Sequence, residues 1–427
     1  MERKSHIYSF LLIVSPLLVF SSLSSCHPIA VYSIVYVAVS LLFILWCRFL
    51  LSHEISSRLV FGLIIAGIVL RLAMIPIHPV GSDDYYRYIW DGKVYANGIN
   101  PYRYAPADKA LTALHSQALP GRISFADMKT IYPPLAETLF FFAYKISGES
   151  FLGLKLLLFI SDLITMVGLY LIVRRLNLDS KNILLYALCP LPLFQFFIDG
   201  HLDGFGIPLL VFGIFCYLKD KKLTSYLLIG LSICIKPVAL ILIPILFFSE
   251  KKLAERLKVI LVPMIVCCLL YLPFIFSGSP FQALITFTKN WTFNGIIFDS
   301  LNILFLDNQR TRGLCAVLFL ICYFPIVLSR KDFLTKVYLS IFLLMIFSPV
   351  VHPWYLSWLA VLLPVRPRWS GIVFLGLVSL TSYTLIRYQL TGVWKDYPAV
   401  LLLEYIPVLT IFFYELATSW RFESQQS

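Results

Sequence analysis

Two adjacent carboxylates, Asp83 and Asp84, open the stretch GSDDYYRYIWDG, with Arg87 and Asp91 following at helical spacing. Like charges side by side raise each other's pKa unless a cation or metal lies near, and a carboxylate so poised suits proton abstraction from a hydroxyl. One of the pair could act as general base while Arg87, one turn further along a helix, holds the other. A helix-capping role accounts for one Asp but not for two. Asp91, in WDG, could equally start a turn. Polar groups recur at four other places in apolar sequence. GHLDG (200–204) sets His201 and Asp203 between glycines that admit close backbone approach, suiting a sugar hydroxyl, a phosphate or a plain interhelical turn. Lys236 precedes Pro237 inside an apolar run. A cation at such a break needs an anion, and phosphate suits an ammonium unless the side chain snorkels to headgroups. HPWY (352–355) offers His352 as a phosphate donor, a proton carrier or a structural histidine at the interface. Trp354, Tyr355 and Trp358 fit either an aromatic belt or a platform for a sugar face. Arg387 ends the last apolar stretch but one.

These residues sit in a chain of 427 residues that is 59% hydrophobic, 16% aromatic and only 14% charged, which excludes a soluble globular protein and implies an all-α polytopic membrane protein. The formal charge of +12 comes from short basic clusters between apolar runs. That is the positive-inside pattern, and it gives no reason to expect nucleic acid as a partner. The nine cysteines show no CxxC and no metal spacing, and read as small apolar residues.

Apolar runs of about 20 residues, oriented by Lys/Arg loops, place spans at 7–24, 30–50 and 58–77. The first is read as retained rather than cleaved, because two more follow at once. Residues 78–130 then lie outside and form the one long polar segment. If 131–147 crossed, Arg174-Arg175 and KDKK (219–222) would fall outside, so this stretch is expected to dip into the outer leaflet or pack against the bundle. Spans follow at 151–173, 182–198 and 205–218. Residues 223–248 lie between two basic clusters and are expected to form a broken hairpin turning at Ile235-Lys236-Pro237. The remainder reads as 257–276, an outer segment 277–310, then 312–328, 335–350, 356–365, 371–388 and 398–418, about 13 helices in all. The whole of 1–427 is thus expected to be a single integral-membrane domain: three spans to residue 77, an outer catalytic loop at 78–130, and the remaining bundle at 131–427. On this topology the polar residues named above, with Lys289, fall at or near the outer side, as expected of one outward-facing site. Carboxylates facing water and cations at lipid depth fit a reaction between a polar acceptor and a lipid-linked phosphate donor.

DDYYRYIWDGKVYANGINPYRYAP, followed by YPPL at 132–135, GHLDG, the Lys-Pro break at 236–237 and HPWY, resembles bacterial polyprenol-phosphate-sugar-dependent glycosyltransferases of the GT-C superfamily. The similarity is greatest to the membrane proteins grouped around glycosyltransferase family 87 and the bacterial α-mannosyltransferases. It runs from about residue 81 to 355. The resemblance implies a GT-C-like bundle with a long first outer loop, in a bacterial inner membrane among membrane lipids. The implied reaction is inverting transfer of a hexose, often mannose, from a polyprenyl-phosphate sugar to a glycan or lipid acceptor at the outer face. In such enzymes an acidic residue of the first outer loop serves as base, which maps onto Asp83 or Asp84. Basic residues that hold the lipid phosphate map onto Lys236 and, beside it, His352 or Arg387. Arg87, Asp91, His201 and Asp203 are expected to complete the substrate-binding surface. Metal dependence varies across the superfamily, so the Asp pair is compatible with a divalent metal without requiring one. The contrasting reading is a lipid or polysaccharide transporter or flippase, which would favour inverted repeats with paired broken helices. One clear break and no second half stand against it.

Overall fold

The computed structural model describes residues 28–424, so the expected span at 7–24 lies outside the described residues. The chain runs through α1 (Pro28–Ser52) and α2 (Ser57–Met74) into a long loop that holds α3 (Asp84–Ala96), and from there to α4 (Pro134–Ser147). Next come α5 (Leu152–Arg175), α6 (Ser180–Ile198), α7 (Asp203–Leu218) and two half-length helices, α8 (Lys222–Ile233) and α9 (Pro237–Ser249). After α10 (Leu253–Ile275) come the short α11 (Gln282–Asn290) and α12 (Ile296–Phe305), then α13 (Asn308–Leu328), α14 (Phe333–Phe347), α15 (Trp369–Thr391) and α16 (Pro398–Ser424). Among the described residues there is no strand, only an isolated bridge between Phe293 and Val350.

Among the described residues, eight helices (α1, α2, α5, α6, α10, α13, α15 and α16) are long and apolar enough to cross a membrane, and five shorter apolar ones (α7, α8, α9, α12 and α14) lie among them. The molecule is an all-helical integral membrane protein. Its layering follows from which faces are apolar all round. Only 17% of the apolar stretch of α10 is buried in the protein, with Leu261, Ile265, Leu269 and Leu272 facing outward. By contrast 89% of α6 is buried. Pro190 and Pro192 interrupt its ladder, and Leu193–Ile198 winds as a π-turn. Irregular backbone of this kind is tolerated at membrane depth only inside protein, which is where α6 lies.

The break at 234–236 is present as expected. Lys236 adopts φ −152°, ψ 131°, the extended geometry that a following proline imposes, and Pro237 starts a 3₁₀ turn. α8 is held back against α7 by Ser225 Oγ on the Gly213 carbonyl (2.7 Å) and Ser232 Oγ on the Gly206 carbonyl (2.9 Å). Helix α4 packs chiefly on α3. One expectation is corrected: 356–365 is not a continuous crossing helix. It forms a 3₁₀ turn at Pro353–Leu356 and one α-turn at Ser357–Ala360, and residues 356–365 are buried throughout. A segment walled by protein needs no unbroken ladder, so hydropathy alone overstates its regularity.

Before the long loop leaves the bundle, buried charges fasten its root. Arg71 on α2 pairs with Asp162 on α5 at 2.7 Å, both side chains 1% exposed, and donates to the Ala187 carbonyl at 2.6 Å. Lys155 Nζ donates to the Ile77 carbonyl. Asp199, just past α6, accepts from the backbone N–H of Gly81 (2.7 Å) and Val80 (3.2 Å) through one oxygen and from Tyr32 Oη (2.5 Å) through the other. The approach is so close that a Cβ on Gly81 would lie 2.6 Å from the Asp199 carboxylate, so glycine is required there.

Candidate active site

Fastening Ile77 to Gly81 fixes where α3 begins. Ser82 Oγ accepts the Asp84 backbone N–H at 3.2 Å, and the two carboxylates that follow diverge. Asp83, at the N-cap, makes no capping bond; it is exposed and accepts from Ser124 Oγ across the loop. Asp84 turns inward, its Oδ2 3.6 Å from His201 Nδ1 and 3.4 Å from Tyr88 Oη.

Asp203, two residues after His201, is 1% exposed and accepts from Lys236 Nζ at 2.7 and 2.9 Å and from Trp358 Nε1 at 2.6 Å. The Lys236 ammonium also stands 3.5 Å from the centre of the Tyr355 ring, a cation–π geometry. Gly206, one helical turn beyond Asp203, makes room for Trp358, whose ring would lie 2.7 Å from a Cβ there. His201 is fully buried and stacks on Trp354 with ring centres 3.6 Å apart. His352 stacks on Trp354 at 4.2 Å and on Phe293 at 4.6 Å, and its Nε2 accepts from Trp291 Nε1 at 3.2 Å. Four segments far apart in sequence (84–88, 201–203, 236 and 352–358) therefore meet in one cluster.

The electrostatics separate the roles available to these groups. Burial, and then the neighbouring Asp83 charge, push the Asp84 carboxyl up to about 7, with Lys236 opposing. Asp84 lies at the edge of the protein interior, and its side chain keeps 36% of its exposure, so it can still reach an incoming hydroxyl. Burial, then the charges of Lys236 and His352, hold His201 well below its ordinary pKa. His201 is therefore neutral and stands against Asp84, 3.6 Å away, as an uncharged ring rather than an ion-pair partner. Both its ring nitrogens lack a hydrogen-bond partner. The arrangement can take a proton at Asp84 and offer a cation at Lys236 to an anion. Among the described residues, no three His, Cys, Asp or Glu side chains are grouped to hold a metal ion.

Other expected residues lie elsewhere. Arg87 does not hold Asp83 or Asp84. Its Nε bonds both oxygens of Asp91 (2.8 and 3.0 Å), and its Nη1 bonds the Met128 carbonyl (2.8 Å). Glu137, accepting from Thr130 Oγ1 at 2.7 Å, completes that buried group. Within a helix, Arg87 has acidic neighbours on both sides at the required spacing, and the one that is itself buried wins. Arg387 lies beside Tyr397 and Tyr383, and Lys289 is exposed on α11. Sequence reasoning missed Asp199, although it lies inside the motif IDGHLDG, and missed Trp291, whose link to His352 depends on backbone pairing. That pairing runs from Phe293 N to the Pro349 carbonyl (3.0 Å) and from Val351 N to the Phe293 carbonyl (2.7 Å).

Two family matches overlap on this site. Residues 5–249 match the family described as alpha-(1->6)-mannopyranosyltransferase, N-terminal domain, and residues 130–387 match glycosyltransferase family 87. The first holds the Asp pair, GHLDG and Lys236; the second holds GHLDG, Lys236 and HPWY. A search among curated proteins gave no match.

Proposed function

The chain belongs to glycosyltransferase family 87 and, through its N-terminal part, to the alpha-(1->6)-mannopyranosyltransferases, and from that premise we propose that it mannosylates an acceptor hydroxyl using a polyprenyl-phosphate mannose donor. The site faces outward from a bacterial inner membrane. The observation that carries the reading is Asp84, a carboxylate with a pKa near neutrality at the solvent edge of a cluster whose other pole is Lys236. A general base works best when its pKa lies near the working pH.

In the reaction, Asp84 takes the proton of the acceptor hydroxyl as the hydroxyl oxygen attacks the anomeric carbon. The bond from that carbon to the phosphate oxygen breaks, and its electron pair leaves with the lipid phosphate. Lys236 stabilises the charge that develops there, an effect largest where water is excluded. Asp203, itself held by Trp358, keeps Lys236 in place before the donor arrives. His201, stacked on Trp354, walls one side of the Asp84 carboxylate with a neutral ring. Positioning of this kind lets the two reactants meet at high effective concentration.

The test is mannosyl transfer by the purified full-length protein from radiolabelled polyprenyl-phosphate mannose. Loss of transfer in Asp84→Asn with folding retained supports the reading. Full transfer in that variant would remove the base from it, and inactivity of the wild type with this donor but not with a nucleotide sugar would remove the lipid-linked donor.

A further inference from the structure

Beyond His352 the cluster continues into a second group of residues that the chemistry above leaves unused. We infer that this surface, centred on Trp291 and Trp394, binds the acceptor as the terminal pyranose of a glycan; the occupant's identity rests on the transferase reading, the existence of the subsite does not. Trp291 and Trp394 are half-buried and nearly parallel, ring centres 6.4 Å apart with 29° between planes. Phe125, 59% exposed on the long loop, sets its ring against Trp291 at 5.3 Å. Its backbone lies at φ 58°, a conformation rare for a bulky side chain and one that persists only where surrounding structure demands it.

Unsatisfied polarity is concentrated in the same place. Asp299 Oδ2 and Trp394 Nε1 are buried without a hydrogen-bond partner, and the Arg387 guanidinium and Tyr397 hydroxyl face each other. Asp396 ties the group together, accepting from the Asn294 backbone N–H at 3.0 Å and facing Asp299 electrostatically. Buried polar atoms are almost always paired, so two orphans beside one aromatic pair point to a polar ligand. The ligand must also offer an apolar face for the indoles and hydroxyls for the carboxylates, as a pyranose does. The acidic pair Asp299 and Asp396 argues against a phosphate, and the orphaned indole N–H of Trp394 argues against a lipid chain. The Trp291–His352 hydrogen bond, and the rings of Trp354 and His201 beyond it, make this surface continuous with Asp84. Trp394, Asp396 and Tyr397 lie beyond both matched family segments, as suits residues that choose an acceptor peculiar to this chain.

The experiment uses the full-length protein in lipid nanodiscs with two acceptor probes, α-(1→6)-mannotriose and octyl α-mannoside, and polyprenyl-phosphate mannose as donor. Trp394→Leu, which keeps an apolar side chain but removes the ring, is expected to raise the acceptor KM on the order of tenfold with kcat and donor KM nearly unchanged. Trp394→Phe should restore most of the loss. A lower KM for the alkyl mannoside assigns a lipid-linked acceptor, and the reverse a free glycan. Saturation-transfer NMR should show the ring C–H protons of the probe against the protein even in Asp84→Asn. An unchanged acceptor KM in Trp394→Leu, or no probe contact by NMR, overturns the subsite while leaving the transferase reading standing. Probe binding without transfer in the wild type would overturn the transferase reading and leave the subsite.

Discussion

Asp84 and Asp91 stand about two turns apart on the same short helix and live in opposite circumstances. Asp91 is 3% exposed and is gripped by the Arg87 guanidinium through both its oxygens. Asp84 keeps over a third of its side chain accessible, with a neutral histidine and a tyrosine beside it and its nearest cation already engaged by Asp203. A carboxylate whose charge is neutralised within the protein holds structure together; one left with incomplete partners is available to a ligand. Helix α3 thus carries a carboxylate open to a ligand at its start and a fastener near its middle, and the difference lies in the company each side chain keeps.

The comparison can be broken most sharply at Asp84. Asp84→Asn preserves shape and removes the base, so transfer should fall about a thousandfold in kcat, the middle of the range for general base catalysis, while the melting temperature stays at or above that of the wild type. A parallel loss of melting temperature would place Asp84 with the fasteners. Asp91→Ala should do the reverse. It leaves the buried Arg87 charge unpaired at a cost of about 3 kcal/mol, read as a lower melting temperature and less folded protein in membranes, with kcat of the folded fraction near normal. At the cation, Lys236→Met should lower kcat about a hundredfold and weaken donor binding, and Lys236→Arg should recover only part, because a guanidinium spreads over a plane the charge that the ammonium presents at one point. The smallest effect concerns pH. Transfer should rise with pH through about 7 as Asp84 ionises, and Asp83→Asn, by removing a neighbouring negative charge, should move that rise to lower pH. A profile unmoved by Asp83→Asn would mean that another group sets it.

Much of this was legible in the sequence because a charge in apolar sequence is costly and therefore conspicuous. His201, Asp203, Lys236 and His352 stood out for that reason, and they do meet. The break at Lys236-Pro237 was legible because proline acts locally, through its missing donor and its effect on the residue before it. What escaped depends on tertiary choices. Helical spacing allowed Arg87 to reach back to the Asp pair or forward to Asp91, and only the packing of α4 and residues 128–130 against α3 selects the forward partner. Hydropathy cannot tell a lipid-facing span from a protein-walled one, so 356–365 was expected as a helix and is instead a pair of turns. The indole of Trp291 finds His352 through loop pairing that no periodicity announces.

The hold of Asp199 on Gly81 divides what can vary in this protein from what cannot. Asp199 and His201 belong to the same corner between α6 and α7, so the strand of chain that delivers Asp84 and the ring that meets Asp84 are registered by one short piece of backbone. The proposed base thus takes its position from the bundle, and the roughly 40 residues from the end of α3 to the start of α4 are released from that duty. Evolution can rewrite them to suit a different acceptor without retuning the proton transfer, and an engineer who grafts the loop of a relative onto this scaffold should make the joint after α3 and leave Gly81 untouched.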